Sequence, residues 1–590
     1  MQPQDQIENL NRRQFLRLGT LTFPFMVGAG TTLKIIAQAA EDVQGNSAEH
    51  STGSSFIDLS LLVTEGYPTN WPDGFPRYRL ARTRVIGPES PYNIDMLVLD
   101  GNTGTQLDAP SHSVARPELN LPHSGPLGSE FIDTIPAWKL VGEACVVDVR
   151  DLLDQAANGV SPLIHKNKIL AWETEHRAFG PGDIALFYSG YSDRYYRALP
   201  EGRRFLADPL DQLRPAWPAP HPETAELLAG MRRVSHIGCD SPTMGPIPGL
   251  TGQTHYAALR HGTIFTEGAT GLGQIPSTGA FYCMVGPKHA GGPYGEGRAF
   301  AIVGDPLAGQ LINAARGRRV IDLSVVNSID NPVTWPGRGM DRYREPYTKN
   351  DFRWSNSLKL YHHGHSMDSQ AGTHLVPPAY ALPADSFDPS NNSRKIRRWL
   401  EEYQGCYGAR GVSDMTTEKV PLAQTCGWAR VVDVTGLVGT THPDRWPTSP
   451  EITIDLLQRD EAQHGGFKSG EILIFRSGHS DRTFHSRSAG RACMVDPLEG
   501  SSEGWPALGA DAVVYLADKG ILCVATDGPT LGGVDEKAAL MTYWALGSRG
   551  IVGIEFLTNL IELPARSFFI FATVKLAGCH GGPGRAIALY

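Results

Sequence analysis

Between residues 102 and 112 the chain reads Asn102-Thr103-Gly104-Thr105-Gln106-Leu107-Asp108-Ala109-Pro110-Ser111-His112. Farther on come Asp240-Ser241-Pro242, then His255 and Glu267 twelve residues apart, then Gly297-Arg298-Ala299. Aspartate, glutamate and histidine are the side chains that both bind divalent cations and move protons near neutral pH. With no cofactor at all, His112 working with Glu267 or Asp108 can run general acid–base chemistry such as an elimination or an isomerisation.

Other polar runs are weaker candidates. In Tyr361-His362-His363-Gly364-His365 a strand would send alternate residues to opposite faces, so only His363 and His365, or His362 alone, can face a cleft. A surface or otherwise satisfied histidine cluster is the expectation there. Ser189-Gly190-Tyr191 and Ser477-Gly478-His479 lack the glycine pattern of a nucleophile elbow and read as strand-to-loop turns.

The chain is written twice. Phe56-Ile57-Asp58-Leu59-Ser60 with Pro68, Trp71 and Pro72 returns as Val320-Ile321-Asp322-Leu323-Ser324 with Pro332, Trp335 and Pro336. One offset holds at Asp58/Asp322, Pro68/Pro332 and Trp71/Trp335, and the remaining matches keep their order: Gly104/Gly372, Asp148/Asp433, Asp193/Asp481, Glu267/Glu555 and Arg298/Arg585. Copy two carries extra residues near Asp385–Thr417, a surface insertion or lid by composition.

The residues from 102 to 112, with Asp240-Ser241-Pro242, His255, Glu267 and Gly297-Arg298-Ala299 behind them, resemble the H-x-G-T-H-x-D-x-P-x-H pattern of the metal-dependent cyclase family, which includes kynurenine formamidases and isatin hydrolases. The resemblance covers nearly the whole chain, once per copy. It implies two tandem α/β domains, each a mixed-sheet, barrel-like β core with surrounding helices. It also implies that a family dimer has been fused into an internal pseudo-dimer.

Carried over position by position, the resemblance gives a metal set of Asn102, Gln106, Asp108, His255 and Glu267, with His112 as general base and Glu267 as a second catalytic group. Two signature histidines are amides here. The same positions in copy two are Gln370, His374, Val376, Tyr543 and Glu555, with Tyr380 in place of the base. Neutral amide oxygens weaken zinc binding while tolerating manganese, magnesium or calcium. Copy one therefore either keeps a divalent ion, Mn or Zn in the family's pattern, or has lost it and leaves its polar residues bonded to one another.

The function implied is an exported hydrolase of an amide, lactam, lactone or ester carbonyl, with the chemistry in copy one. The alternatives are a metal-free lyase or isomerase and a non-catalytic periplasmic binding or scaffold protein.

Bulk properties fit this frame. A chain of 590 residues exceeds a single core. A hydrophobic fraction of 41% and a charged fraction of 19% are those of a folded protein. The net charge of −9, with no basic cluster, argues against a nucleic-acid partner, and a small-molecule substrate is what the resemblance implies. None of the eight cysteines is in a C-x-x-C pair, and Cys145, Cys283 and Cys523 sit in apolar runs as small buried hydrophobes.

Short apolar strands such as 144–149, 183–187 and 281–285 alternate with helical patterns at 222–231 and 449–461. The expected boundaries are a signal at 1–40, a tether at 41–54, domain one at 55–305, a linker at 306–319 and domain two at 320–590. Arg12-Arg13, the weakly apolar stretch Leu18 to Leu33 and Ala37-Gln38-Ala39 read as a twin-arginine signal with a cleavage site. No membrane span is expected after processing. Replacing Arg12 and Arg13 with lysine should strand the chain in the cytoplasm of its host, measured by fractionation; undiminished export would refute the signal.

Overall fold

The computed structural model describes residues 54–71, 77–336, 348–351 and 363–590. The twin-arginine segment, all of the tether but Ser54, Pro72 and His362 lie outside the described residues. No described helix is long and apolar enough to cross a membrane.

Each copy is built on four parallel strands. In copy one these are Val141–Asp148, Ile184–Tyr188, His236–Cys239 and Ile264–Glu267, hydrogen-bonded in that order. In copy two they are Cys426–Asp433, Ile472–Arg476, Cys523–Thr526 and Val552–Glu555. Such strands are covered on both faces, which is why they read as near-continuous apolar runs.

Antiparallel strands extend each set, and copy two closes on itself. Its last strand, Gly582–Leu589, pairs at its start with His374–Val376 and along its length with Arg566–Thr573. The result is a closed barrel of seven strands. In copy one Gly297 splits the equivalent segment into Tyr294–Glu296, paired with Gln106–Asp108, and Arg298–Val303, paired with Ala280–Val285. That sheet curls into a half-barrel and stays open.

The join holds a helix, Leu307–Arg316, which buries Ala308, Leu311, Ile312, Ala314 and Ala315. The segment expected as a surface insertion or lid instead contains a helix, Arg394–Tyr407, whose stripe of Ile396, Trp399, Leu400 and Tyr403 is buried. Spacing of three and four residues puts these side chains on one face, and Tyr403 packs edge-on against Trp544 with ring centroids 5.5 Å apart. All eight cysteines are unpaired, and seven are buried.

The copies share one interior. Phe281, Phe300 and Ile302 of copy one belong to the same apolar cluster as Cys426, Phe568, Ile570, Ile587 and Leu589 of copy two. A four-stranded sheet also crosses the seam: Ile94–Asp100 of copy one pairs antiparallel with His363–Asp368 of copy two, Val98 opposite Ser366.

Two ion clusters related by the repeat lock the seam. Arg298 grips Asp58 through Nε and Nη2 at 3.0 and 2.9 Å, and Lys575 reaches Asp58 from copy two at 2.7 Å. Arg585 donates to Asp322 at 2.6 Å and to the Ile132 carbonyl of copy one at 2.8 Å, while Lys288 of copy one reaches Asp322 at 3.1 Å. Burial alone would raise both carboxyls; the surrounding cations outweigh it and hold Asp58 and Asp322 below the usual range.

Truncating one member of a buried ion pair is costly, because the charge left behind is uncompensated. Arg585→Ala should lower unfolding stability by about 3 kcal/mol in a denaturant titration. A change within about 0.5 kcal/mol, the range of a neutral surface substitution, would mean that this cluster does not hold the seam.

Candidate active site

The centre of copy one is assembled from two strands, a helix and a turn. Gln106–Asp108 runs antiparallel to Ile264–Glu267, with Glu267 opposite Gln106 and Phe265 opposite Asp108. Side chains two apart share a face of a strand, so Gln106 and Asp108 point the same way and Glu267 joins them from across the ladder. Gly104, at φ +70°, supplies a left-handed turn before the strand that side-chain-bearing residues rarely adopt.

His255 comes from the helix Thr251–Leu259, where Thr254, His255, Ala258 and Leu259 form the buried stripe. His112 ends the short turn Pro110–His112, fixed at its start by proline.

These five side chains meet where water does not reach. Asp108 is 0% exposed, His255 1% and Glu267 2%. The Nδ1 of His255 lies 2.8 Å from the Thr251 carbonyl, an acceptor only, so Nδ1 carries the hydrogen and Nε2 is left with its lone pair. That Nε2 is 3.7 Å from Asp108 Oδ2 and 3.3 Å from Glu267 Oε1. His112 Nε2 is 4.0 Å from Asp108 Oδ2. The His112 ring stands edge-on to Tyr294 and His255, centroids 4.7 and 5.5 Å apart.

Glu267 is well supplied with donors: Gln106 Nε2 at 2.6 Å on one oxygen, Thr243 Oγ1 and the Met244 amide at 3.0 and 2.6 Å on the other. Asp108 is not, since both of its oxygens are buried with no hydrogen-bond partner among the described residues. Burial, with the Glu267 charge behind it, pushes the Asp108 carboxyl well above its usual range.

Two carboxylates and an imidazole lone pair that face one another call for a cation or a proton between them. Asp108 lies close enough to His112 and His255 for one ligand atom from each to meet a single ion. These three residues therefore fit a divalent ion, and Glu267 Oε1, 3.3 Å from His255 Nε2, stands beside them as a further carboxylate donor.

Of the positions expected from sequence, Gln106, Asp108, His112, His255 and Glu267 converge. Asn102 stands apart. Its backbone amide donates to Asp100 at 2.6 Å, and it opens on a small surface cleft lined also by Trp71, Phe205, Leu206 and Pro242.

Copy two satisfies its own polar groups. The Tyr543 hydroxyl donates to Glu555 Oε1, which also accepts from the Leu531 amide at 2.6 Å, and His374 Nε2 lies 3.1 Å from Glu555 Oε2. Val376 removes the second carboxylate. Tyr380 stacks on Tyr92 of copy one, ring centroids 4.7 Å apart, so aromatic surface fills the place that an imidazole takes in copy one.

The serine turns are structural in both copies. Ser189 Oγ donates to Asp240 at 2.6 Å and Ser477 Oγ to Asp527 at 2.6 Å, so neither hydroxyl is set beside a histidine base.

Sequence reasoning missed two neighbours of the site. Tyr294, against His112, lies in a run of three residues between Pro293 and Gly297 that copy two lacks, Pro583 being followed at once by Gly584. That one-copy insertion was a readable signal. His365, expected at a surface or in a satisfied cluster, is 1% exposed, because its strand crosses the seam into copy one.

The Cyclase family's sequence model matches residues 57–246 and again 321–532. Isatin hydrolase of Roseibium aggregatum is 29% identical over 144 residues, 23% of this chain and 52% of that protein. The match thus spans about half the length of that relative. Among solved structures, isatin hydrolase A of Labrenzia aggregata bound to benzyl benzoate is 21% identical, covering 46% of this chain and 99% of its own, with a TM-score of 0.36. Isatin hydrolase A of Ralstonia solanacearum is also 21% identical, covering 48% and 100%, with a TM-score of 0.36.

Proposed function

Since the chain belongs to the cyclase family in both of its halves, we propose that it is a hydrolase of an amide-type or ester-type carbonyl whose chemistry resides in copy one. The observation that supports this most is the asymmetry between the copies: both Asp108 oxygens are buried beside the His255 imidazole with no hydrogen-bond partner among the described residues, whereas copy two has Val376 in that place and its Glu555 is satisfied by Tyr543, Leu531 and His374. Isatin hydrolases, which the chain resembles at 29% identity over one segment, open a cyclic amide, and a lactam or related carbonyl is the substrate class that follows. Export by the twin-arginine signal belongs to the same proposal.

Asp108, His255 and Glu267, with the Gln106 carbonyl oxygen beside them, would hold a divalent ion such as manganese or zinc. When bound, such an ion lowers the pKa of water and polarises a carbonyl.

The chain's own residues do the rest. Thr251 keeps the His255 lone pair turned inward. Gln106, Thr243 and Met244 fix the Glu267 carboxylate in place. His112, held by Tyr294 and His255, takes the proton of the attacking water at Nε2 and returns it to the leaving nitrogen or oxygen.

A metal-free lyase or isomerase is the second reading, and the raised Asp108 carboxyl favours it, because burial and the Glu267 charge push it toward the protonated form that an acid needs. Turnover that survives chelation selects it.

The test is a panel of lactams, amides, lactones and esters with paired variants. His112→Ala should lower kcat by about 10²–10⁴ with the fold intact, the usual contribution of a positioned acid–base group. Tyr380→Phe should leave turnover within about twofold, since its phenol, pushed well above the usual range by burial, is a poor base at neutral pH. A fully active His112→Ala enzyme, or equal losses in both variants, would remove the chemistry from copy one.

A further inference from the structure

Outside this machinery, side chains from both copies form a second buried cluster. Glu296 lies on the inserted run Tyr294-Gly295-Glu296, directly opposite Gln106 in the antiparallel register. His289 lies on the loop that leads into this run. His365 arrives from copy two on the strand His363–Asp368, which pairs with Ile94–Asp100 of copy one.

All three are sealed from solvent: His289 and Glu296 are 0% exposed and His365 1%. His289 Nε2 is 2.9 Å from Glu296 Oε1. The imidazoles of His289 and His365 stack with centroids 3.8 Å apart and planes 24° from parallel. One ligand atom from each of the three residues lies within 4.8 Å of the other two.

An ordinary structural role leaves this cluster incomplete. The second oxygen of Glu296 is buried and accepts no hydrogen bond among the described residues, and a buried acceptor left unmet is destabilising. Nearby, the buried Asp100 carboxyl is pushed up to about 7, by burial first and with the Glu296 charge adding to it.

We propose that His289, Glu296 and His365 form a second metal site, set in the seam between the copies, for a zinc-type divalent ion. Two imidazoles and one carboxylate are a set of zinc ligands that leaves a fourth position open. Ions such as magnesium and calcium prefer oxygen donors and discriminate against this set. The first centre is rich in carboxylate and amide oxygen, so the two sites differ in the ion they favour. Glu296 and Gln106, opposite one another in the ladder, present their side chains to one face of the sheet, so the seam site adjoins the centre of copy one. Neither copy can build it alone. The proposal does not rest on the hydrolase reading, because binding is measured without turnover.

The test uses the full chain, stripped by chelation and then equilibrated with zinc alone. Glu296→Gln and His365→Phe should each hold one zinc fewer per chain than the parent and lose the rise in Tm that this zinc gives, while Asp108→Asn keeps the seam zinc and its rise in Tm. Zinc retained in full by Glu296→Gln and His365→Phe, zinc lost only from Asp108→Asn, or no zinc bound by the parent would each overturn the assignment. Should either seam variant fail to fold, zinc-edge X-ray absorption of the Asp108→Asn chain decides: scattering from two imidazoles supports the site, and scattering from one or none refutes it.

Discussion

Asp108 and Glu267 are aimed at one imidazole nitrogen in a place from which water is excluded. Like charges so close, in a medium that solvates them poorly, cannot both stay ionised without a counter-charge. Everything around them acts to keep the strained arrangement in place. The strand pairing of Gln106 with Glu267 sets the spacing, three donors fix Glu267, and the Thr251 carbonyl decides which His255 nitrogen turns inward. A group held in an unfavourable state by the rest of a fold marks a working site more reliably than the residue type does.

Copy two shows how the same scaffold relaxes once that demand is gone. Valine at 376 deletes one carboxylate, and tyrosine at 543 gives the remaining one a hydroxyl donor in place of an imidazole lone pair. The barrel closes around the result. Copy one pays for its open half-barrel with the break at Gly297, and the interrupted strand is the one that brings Tyr294 to His112 and Glu296 to the seam. Copy two in turn stabilises copy one from outside through Lys575 on Asp58 and Arg585 on the Ile132 carbonyl.

Local patterns carried much of this in advance. The repeat, the apolar runs of the parallel strands and the order Gln106, Asp108, His112, His255, Glu267 are written in residue types and spacing, and the strand, turn and helix holding those residues bring them together. What was hidden depended on partners distant in sequence. His365 read as part of a surface or satisfied cluster, and nothing local reveals that its strand leaves its own copy and buries it there. The segment near Asp385–Thr417 looked like a lid because its polar residues outnumber the four that anchor it against the second copy's core. Asn102 shares the motif's spacing, yet its turn bonds to Asp100 and carries it to a cleft that the other five residues do not line.

The central claim is that the unbalanced carboxylates of copy one, and not their counterparts in copy two, are built to hold a cation. Anomalous diffraction at the manganese edge from crystals of the manganese-loaded chain tests it directly. The arrangement predicts a peak among Asp108, His255 and Glu267 and none at Glu555. A peak at Glu555, or a featureless map at Asp108 under saturating manganese, would contradict it.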